Sequence, residues 1–185
     1  MTTYVLVHGA WHGGWCWKKT APLLRASGAD VFAPTLTGMG ERAHLNNQLN
    51  PSKITLDVHI QDIVQMMSYE GLQDVVLVGH AYAGMVITGV AEVCPERISH
   101  MVYVNGVIPS DGESMVDQLI PVRGPEFTGW IQDLIDNGDG FLPPPASAEE
   151  IERRWGISDP IDVAWTLANV CPQPATVMAS PVHMG

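Results

Sequence analysis

The chain has 185 residues, of which 46% are hydrophobic and 16% charged, a composition that predicts one globular domain with a sizeable core. The formal net charge of −11 argues against nucleic acid or an anionic membrane as a partner. No apolar run is long enough to span a membrane and no segment resembles a signal peptide, so we expect a cytoplasmic protein.

Short β-rich runs alternate with helical patterns over the first 110 residues. Strands are predicted at residues 4–8, 30–33, 75–78 and 99–105. Helices are predicted at residues 15–27, 54–69 and 85–93, and a loop at 37–50. Strands that alternate with helices imply an α/β fold, a mostly parallel sheet with helices on both faces.

The character of the sequence changes after Ser110. The remaining residues hold three separated tryptophans and a triple proline, and no run there is as strongly strand-like as the earlier ones. We interpret residues 1–110 as the N-terminal part of the α/β core. We interpret residues 111–185 as a helical cap region of the same domain.

The cysteine and histidine patterns do not indicate a metal site. Cys16, Cys94 and Cys171 are widely spaced and form no C-x-x-C pair, and the seven histidines lack a metal-ligand spacing. We therefore expect free thiols, no metal and no cofactor.

Three turns with candidate catalytic or binding groups are expected at one edge of the sheet. Residues 8–10, 79–81 and 105–106 each follow a predicted strand, and ligands of parallel sheets bind beyond the carboxyl ends of the strands. The sequence therefore predicts a pocket between these turns and the cap.

The second of these turns is the most informative stretch of the chain. An apolar strand meets GHAYAG at residues 79–84, and a helical pattern follows. In serine hydrolases of the α/β class this strand–turn–helix unit reads G-x-S-x-G, with the nucleophile at its tip. Here the tip is Ala81, whose methyl group cannot attack a carbonyl. Because the neighbouring Gly79, Ala83 and Gly84 are small, we still predict a tight turn with a positive φ at Ala81.

Three motifs together resemble the α/β-hydrolase fold. They are HGAWHGGW at residues 8–15, APTLTGMGER at 33–42 and GHAYAGM at 79–85. In order and spacing, these motifs resemble those of the methylesterase and hydroxynitrile-lyase branch, together with bacterial esterases and carbamate-cleaving hydrolases. The resemblance extends over residues 1–184, and it implies a serine hydrolase mechanism without a cofactor.

The resemblance also implies which parts of the site to expect. Family members continue for two more strands, which carry the triad acid and histidine, whereas this sequence stops in the region that aligns with the cap. We therefore expect the C-terminal strands, the acid and the histidine to be missing. Asp111 and His183 are interpreted as a turn residue and a cap residue.

The oxyanion hole does not depend on side-chain identity, so it can persist beside Ala81. The helix N-terminus makes the backbone N–H of Tyr82 one expected donor, and the resemblance places the other on Ala10. We expect a largely apolar pocket. Its predicted substrate-binding residues are Trp11, His80, Trp130 and Trp155.

The resulting hypothesis is a serine hydrolase scaffold that cleaves a small or medium ester, carbamate or amide through an acyl-enzyme, here inactivated by Ala81. The alternatives are a pseudo-hydrolase that binds ligand without turnover and a C–C lyase of the hydroxynitrile type. An introduced Ser→Ala change and a natural alanine both remain open. The intact remainder of the turn favours an introduced change, and codon 81 of the natural gene decides between the two.

Overall fold

The computed structural model describes residues 1–185, and its centre is a four-stranded parallel sheet. The strand order is β2-β1-β3-β4, and all three neighbouring pairs run parallel. This confirms the predicted α/β architecture. The strands are β1 (Thr3–Val7), β2 (Asp30–Phe32), β3 (Val75–His80) and β4 (Ile98–Val104).

Helices cover both faces of this sheet. α2 (Leu56–Tyr69) and α3 (Ala83–Val93) share the main hydrophobic cluster with Val5, Val7 and Leu77. α1 (Ala21–Ala26) instead packs with Leu6, Val31 and Val78, whose side chains point to the opposite face because side chains alternate along a strand. Coverage is incomplete at β4, where Val102 and Val104 are 41% and 42% exposed.

The predicted helix at residues 15–27 is wrong in its first half. A 3-10 turn, Gly14–Trp17, comes first, and α1 begins only at Ala21. Pro22 lies in the first turn of α1, where a missing N–H costs nothing, so the proline favours a helix start at this point. The predicted loop at 37–50 contains a 3-10 helix, Gly40–Asn47.

The residues after Ser110 form five helices and a small antiparallel sheet that was not predicted. Its two strands have only two residues each and lie about thirty residues apart, so no local pattern reveals them. The elements are α4 (Met115–Arg123), α5 (Glu126–Asp136), β5 (Phe141–Leu142), α6 (Ala148–Trp155), α7 (Pro160–Asn169), β6 (Gln173–Pro174) and α8 (Thr176–Ala179).

This C-terminal region shares a core with the sheet. Ile131, Val177, Met178 and Val182 belong to the same buried cluster as Val5 of β1. The division of the domain at residue 110 stays a prediction. No helix of the chain is both long and apolar enough to cross a membrane.

Candidate active site

The turn between β3 and α3 has the geometry predicted for it. β3 ends at His80, and Ala81 has a φ of 51°, in the left-handed region that a residue with a Cβ rarely adopts. The end of β4 holds it there. The N–H of Ala81 donates to the carbonyl of Val104 (3.3 Å), and the N–H of Val107 donates to the carbonyl of Ala81 (3.1 Å). The predicted positive φ at Ala81 is confirmed.

Small residues are required on both sides of this turn. A Cβ on Gly79 would lie 2.8 Å from the carbonyl oxygen of Ala83. A Cβ on Gly84 would lie 1.9 Å from the carbonyl oxygen of Val107, closer than any real contact. The strand, the turn and the helix therefore pack backbone against backbone, and larger residues would force them apart.

The loop after β1 is held in place by residues near the end of the chain. Trp11 has a φ of 63°, and its N–H donates to the side-chain oxygen of Gln173 (3.1 Å). The N–H of Cys171 donates to the carbonyl of Trp11 (3.0 Å). Both backbone groups of Trp11 are thus satisfied by residues more than 150 positions away. This fixes the direction of the neighbouring Ala10.

The two predicted oxyanion donors lie at the same cavity. Ala10 and Tyr82 both line it, and neither backbone N–H donates to any acceptor in the protein. Tyr82 precedes the first residue of α3, where amide groups lack helical partners and the helix dipole is positive. Ala10 and Tyr82 therefore lie where oxyanion donors are expected. That their N–H groups stabilise an oxyanion stays a prediction.

The cavity beside Ala81 has a volume of about 470 Å³ and lies between the strand ends and the cap. Eight of its thirteen lining residues are hydrophobic, so the predicted apolar character is only partly correct, because three of the others are arginines. The lining consists of Ala10, Trp11, His12, His80, Ala81, Tyr82, Met115, Leu119, Arg123, Arg153, Arg154, Trp155 and Met178.

Of the four predicted substrate-binding residues, Trp11, His80 and Trp155 line the cavity and Trp130 does not, and the role in substrate binding stays a prediction. Trp130 lies on α5, is 43% exposed and packs against Phe127, with ring centroids 5.7 Å apart. A tryptophan in an amphipathic cap helix gives no sign of which neighbour it will meet, and here the neighbour is on its own helix. We therefore drop Trp130 as a substrate-binding residue.

The two histidines of the cavity are neutral near pH 7. Burial lowers the pKa of His12 to about 4, and it also lowers the pKa of His80. The Nδ1–H of His12 donates to the carbonyl of Ala10 (2.7 Å), which leaves Nε2 unprotonated. The His12 ring also stacks on Trp15 at 5.1 Å. His12 therefore holds the loop, as the glycines around it suggest.

No acidic residue lines the cavity. The carboxylate of Asp111 accepts a hydrogen bond from the N–H of Met184 (2.8 Å), which fits a turn residue. His183 is exposed and also lies outside the cavity lining. The structure therefore brings neither Asp111 nor His183 to Ala81, and the described residues supply no carboxylate–histidine pair there.

The sequence matches the model of the alpha/beta hydrolase family over residues 4–182. The chain belongs to this family. It is similar to the carbendazim hydrolyzing esterase of Nocardioides sp., with 41% identity over 164 residues, which cover 84% of this chain and 66% of that protein. It is also similar to methyl jasmonate esterase 1 of Vitis vinifera, with 35% identity over 176 residues, which cover 92% of this chain and 66% of that protein.

The fold agrees with that of a solved structure. An extracellular alpha/beta-hydrolase from a Paenibacillus species superposes with a TM-score of 0.83 at 24% identity, over 100% of this chain and 72% of that one. The match to this chain covers 66% of the length of each of the two esterases named above, a little less than two thirds. The four-stranded parallel sheet and its helices are accordingly part of an α/β-hydrolase fold.

A buried polar network, which the sequence reading missed, connects the turn of this hydrolase fold to α2. The Nε2–H of His59 donates to the carbonyl of Thr37 (2.9 Å), so Nδ1 is the acceptor of a hydrogen bond from the Tyr82 hydroxyl (3.0 Å). The carboxylate of Asp62 accepts from the N–H and hydroxyl of Thr37, at 2.6 and 2.8 Å. Arg42 donates to this carboxylate (3.4 Å) and to the carbonyl of Thr35 (2.9 Å), so it clamps the loop after β2.

The signal for His59 was present in the sequence. It lies on the buried face of α2 with Leu56, Ile60 and Ile63, and a histidine on such a face must find partners. Burial lowers its pKa to about 4 and raises the pKa of Tyr82 well above its ordinary value. Both groups are therefore neutral near pH 7, so the link between them does not depend on charge.

Proposed function

We propose that this cavity is the acyl-binding site of an esterase-type serine hydrolase whose nucleophile position is occupied by Ala81. The observation that carries the proposal is the geometry at Ala81, where a strained tip lies beside two unused backbone N–H groups and a cavity of about 470 Å³. Both named relatives are esterases, which supports a small or medium ester, carbamate or amide as ligand.

In the serine form of such a site, the hydroxyl oxygen at position 81 attacks the ester carbonyl while a general base takes its proton. The bond from the carbonyl carbon to the leaving alcohol then breaks, the alcohol takes up that proton, and an acyl-enzyme remains. The N–H groups of Ala10 and Tyr82 stabilise the negative charge that develops on the carbonyl oxygen. Each such donor contributes about 3 kcal/mol to transition-state stabilisation. No base is assigned among the described residues, because neither of the two cavity histidines, His12 and His80, has a carboxylate partner in the lining.

The alanine itself favours binding without turnover for the chain as it stands. Ala81 removes the attacking oxygen and adds no bulk, so the cavity keeps its shape while the covalent step is lost. The ligand-binding role and the parent hydrolase chemistry therefore share one site.

The three unpaired cysteines, two of them buried, support a reducing compartment such as the cytoplasm.

The position of a bound ester tests this proposal. Because Ala81 prevents turnover, phenyl acetate soaked into crystals is expected to remain intact. Its carbonyl oxygen is expected about 3 Å from the backbone nitrogens of Ala10 and Tyr82. An ether of the same size, which lacks that oxygen, is the control and is expected to bind more weakly. An ester bound outside the cavity, or a carbonyl turned away from both amides, would contradict the proposal.

A further inference from the structure

A third of the basic residues of this acidic chain meet at one concave surface. The sequence has nine lysines and arginines against twenty acidic residues. Three of these nine, Arg123, Arg153 and Arg154, line the cavity beside Ala81, and no aspartate or glutamate lines it. The mouth of the cavity is therefore positive in a molecule whose net charge is strongly negative.

The charges of these arginines are not balanced by neighbours. Arg123 has no carboxylate within 4.0 Å, and Arg153 and Arg154 share the single carboxylate of Glu150 at 3.7 and 4.0 Å. That carboxylate also accepts a hydrogen bond from the N–H of Ala146 (2.7 Å). One carboxylate thus faces two guanidinium groups, and the guanidinium group of Arg123 faces none. The cavity histidines add no negative charge, since a neutral imidazole carries none.

One of the three guanidinium groups is held close to the candidate oxyanion site. Arg154 lies over the Trp11 ring, 5.5 Å from its centroid, and its side chain is 28% exposed. Trp11 is fixed by Gln173 and adjoins Ala10, which also lines the cavity. Arg153 is 72% exposed and lies at the rim. Arg154 is therefore the inner arginine of the set.

We propose that this cavity selects ligands that carry a carboxylate besides the ester, carbamate or amide group, such as the monoester of a dicarboxylic acid. This inference rests on the proposed acyl-binding role. Arg154 binds the carboxylate, and Arg123 and Arg153 attract it at the mouth, while the reacting carbonyl faces the amides of Ala10 and Tyr82. A planar guanidinium can bind a carboxylate through two parallel hydrogen bonds. The apolar side chains of Met115, Leu119 and Met178 pack against the part between the two groups.

Two esters that differ in one group test the charge preference on the chain as it exists. Monomethyl terephthalate carries a carboxylate, and methyl 4-carbamoylbenzoate carries a neutral amide of the same shape. Calorimetry is expected to give a Kd about tenfold lower for the acid at low salt. The preference is expected to shrink to about twofold near 0.5 M NaCl, because salt screens charges at a cavity mouth.

Variants that each remove one positive charge show which arginine causes the preference for the acid over the amide. Arg154→Gln is expected to weaken binding of the acid by about tenfold, because its guanidinium lies over the Trp11 ring. Arg123→Gln and Arg153→Gln are expected to weaken it by about threefold each. Binding of the amide is expected to stay within about twofold, which shows that the cavity remains intact. Lys53→Gln removes the same charge from an exposed site outside the cavity, and we expect it to change neither affinity.

The outcomes separate this inference from the proposed function. Equal affinities for acid and amide, unchanged by the three arginine variants, would overturn the charge preference and leave the acyl-binding role standing. If neither ester shifts the NMR signals of cavity residues at millimolar concentration, the acyl-binding role fails, and the charge preference fails with it.

Discussion

The Tyr82 hydroxyl donates a hydrogen bond of 3.0 Å to Nδ1 of His59, in the fully buried interior between α3 and α2. Tyr82 follows the tip of the turn and lines the cavity, and its backbone N–H has no acceptor within the protein. The same residue is therefore the proposed oxyanion donor through its main chain and a part of the core through its side chain.

Tyr82→Phe is expected to destabilise the fold by about 1–3 kcal/mol, because it leaves Nδ1 of His59 buried without a donor. Urea unfolding measures the change. Tyr69→Phe removes a hydroxyl from a side chain that is 90% exposed and is the matched control, with no expected effect. If both variants unfold at the same urea concentration as the parent chain, the buried hydrogen bond contributes nothing.

Stability is expected to fall as the pH drops from 6.5 towards 4. Burial lowers the pKa of His8 to about 3 and the pKa values of His12 and His59 to about 4. The unfolded chain takes up these protons at its ordinary pKa of 6.5 while the folded chain does not, so protonation favours unfolding in this window. Each histidine contributes a slope of up to about 1.4 kcal/mol per pH unit.

Urea unfolding at several pH values measures that slope, and imidazole ¹⁵N NMR identifies the residues. At about pH 5.5, the spectrum is expected to show a neutral His59 with its proton on Nε2. The carboxylate of Asp117, whose pKa is lowered by its hydrogen bonds to Ser114, acts only below its ordinary pKa of 3.8 and cannot cause the loss. A charged His59 in the folded chain at that pH would falsify this account.

Gly84→Ala is expected to destabilise the chain by about 3 kcal/mol, because its Cβ would lie 1.9 Å from the carbonyl oxygen of Val107. Gly129→Ala is the matched control, since Gly129 is also helical and a Cβ there meets nothing within 4 Å. The control is expected to be neutral or to stabilise by about 0.5–1 kcal/mol. Chemical denaturation of the pair checks the packing at the turn, and equal effects would refute it.

The chain as it stands is expected to be inert towards p-nitrophenyl acetate and unlabelled by a fluorophosphonate. Loss of the nucleophile in a triad enzyme lowers kcat by about a factor of 10⁶. Ala81→Ser is expected to restore labelling when the chain is extended by the segment of the Nocardioides esterase that the match leaves uncovered. If the folded, extended serine variant stays unlabelled, the site binds ligands and does not catalyse acyl transfer.

The sequence predicted the parts of this fold that depend on local pattern. The run of valines before Gly79 predicts a buried strand, and the small residues around Ala81 predict a turn that only such residues permit. The positive φ of Ala81 follows from that motif. These features are set by neighbours within a few positions, so they can be read from one stretch of chain.

The parts that were missed depend on contacts between distant residues. Trp130 and Trp155 are both tryptophans on cap helices, yet only Trp155 reaches the cavity, because helix orientation and not composition decides this. The arginines at the cavity mouth were overlooked for the same reason. The adjacent pair Arg153 and Arg154, in a chain with few basic residues, was the available signal.

The hydrogen bonds that Cys171 and Gln173 make to Trp11 limit how this scaffold can be redesigned. The loop after β1 is supported by these two residues, which lie near the end of the segment after Ser110. That segment is the one a designer would exchange to change which ligands bind. A graft of a foreign cap that omitted these two residues would leave Trp11 free to relax from its positive φ. New specificity is therefore better sought by point changes in α4 and α6 than by wholesale replacement of the segment that contains them.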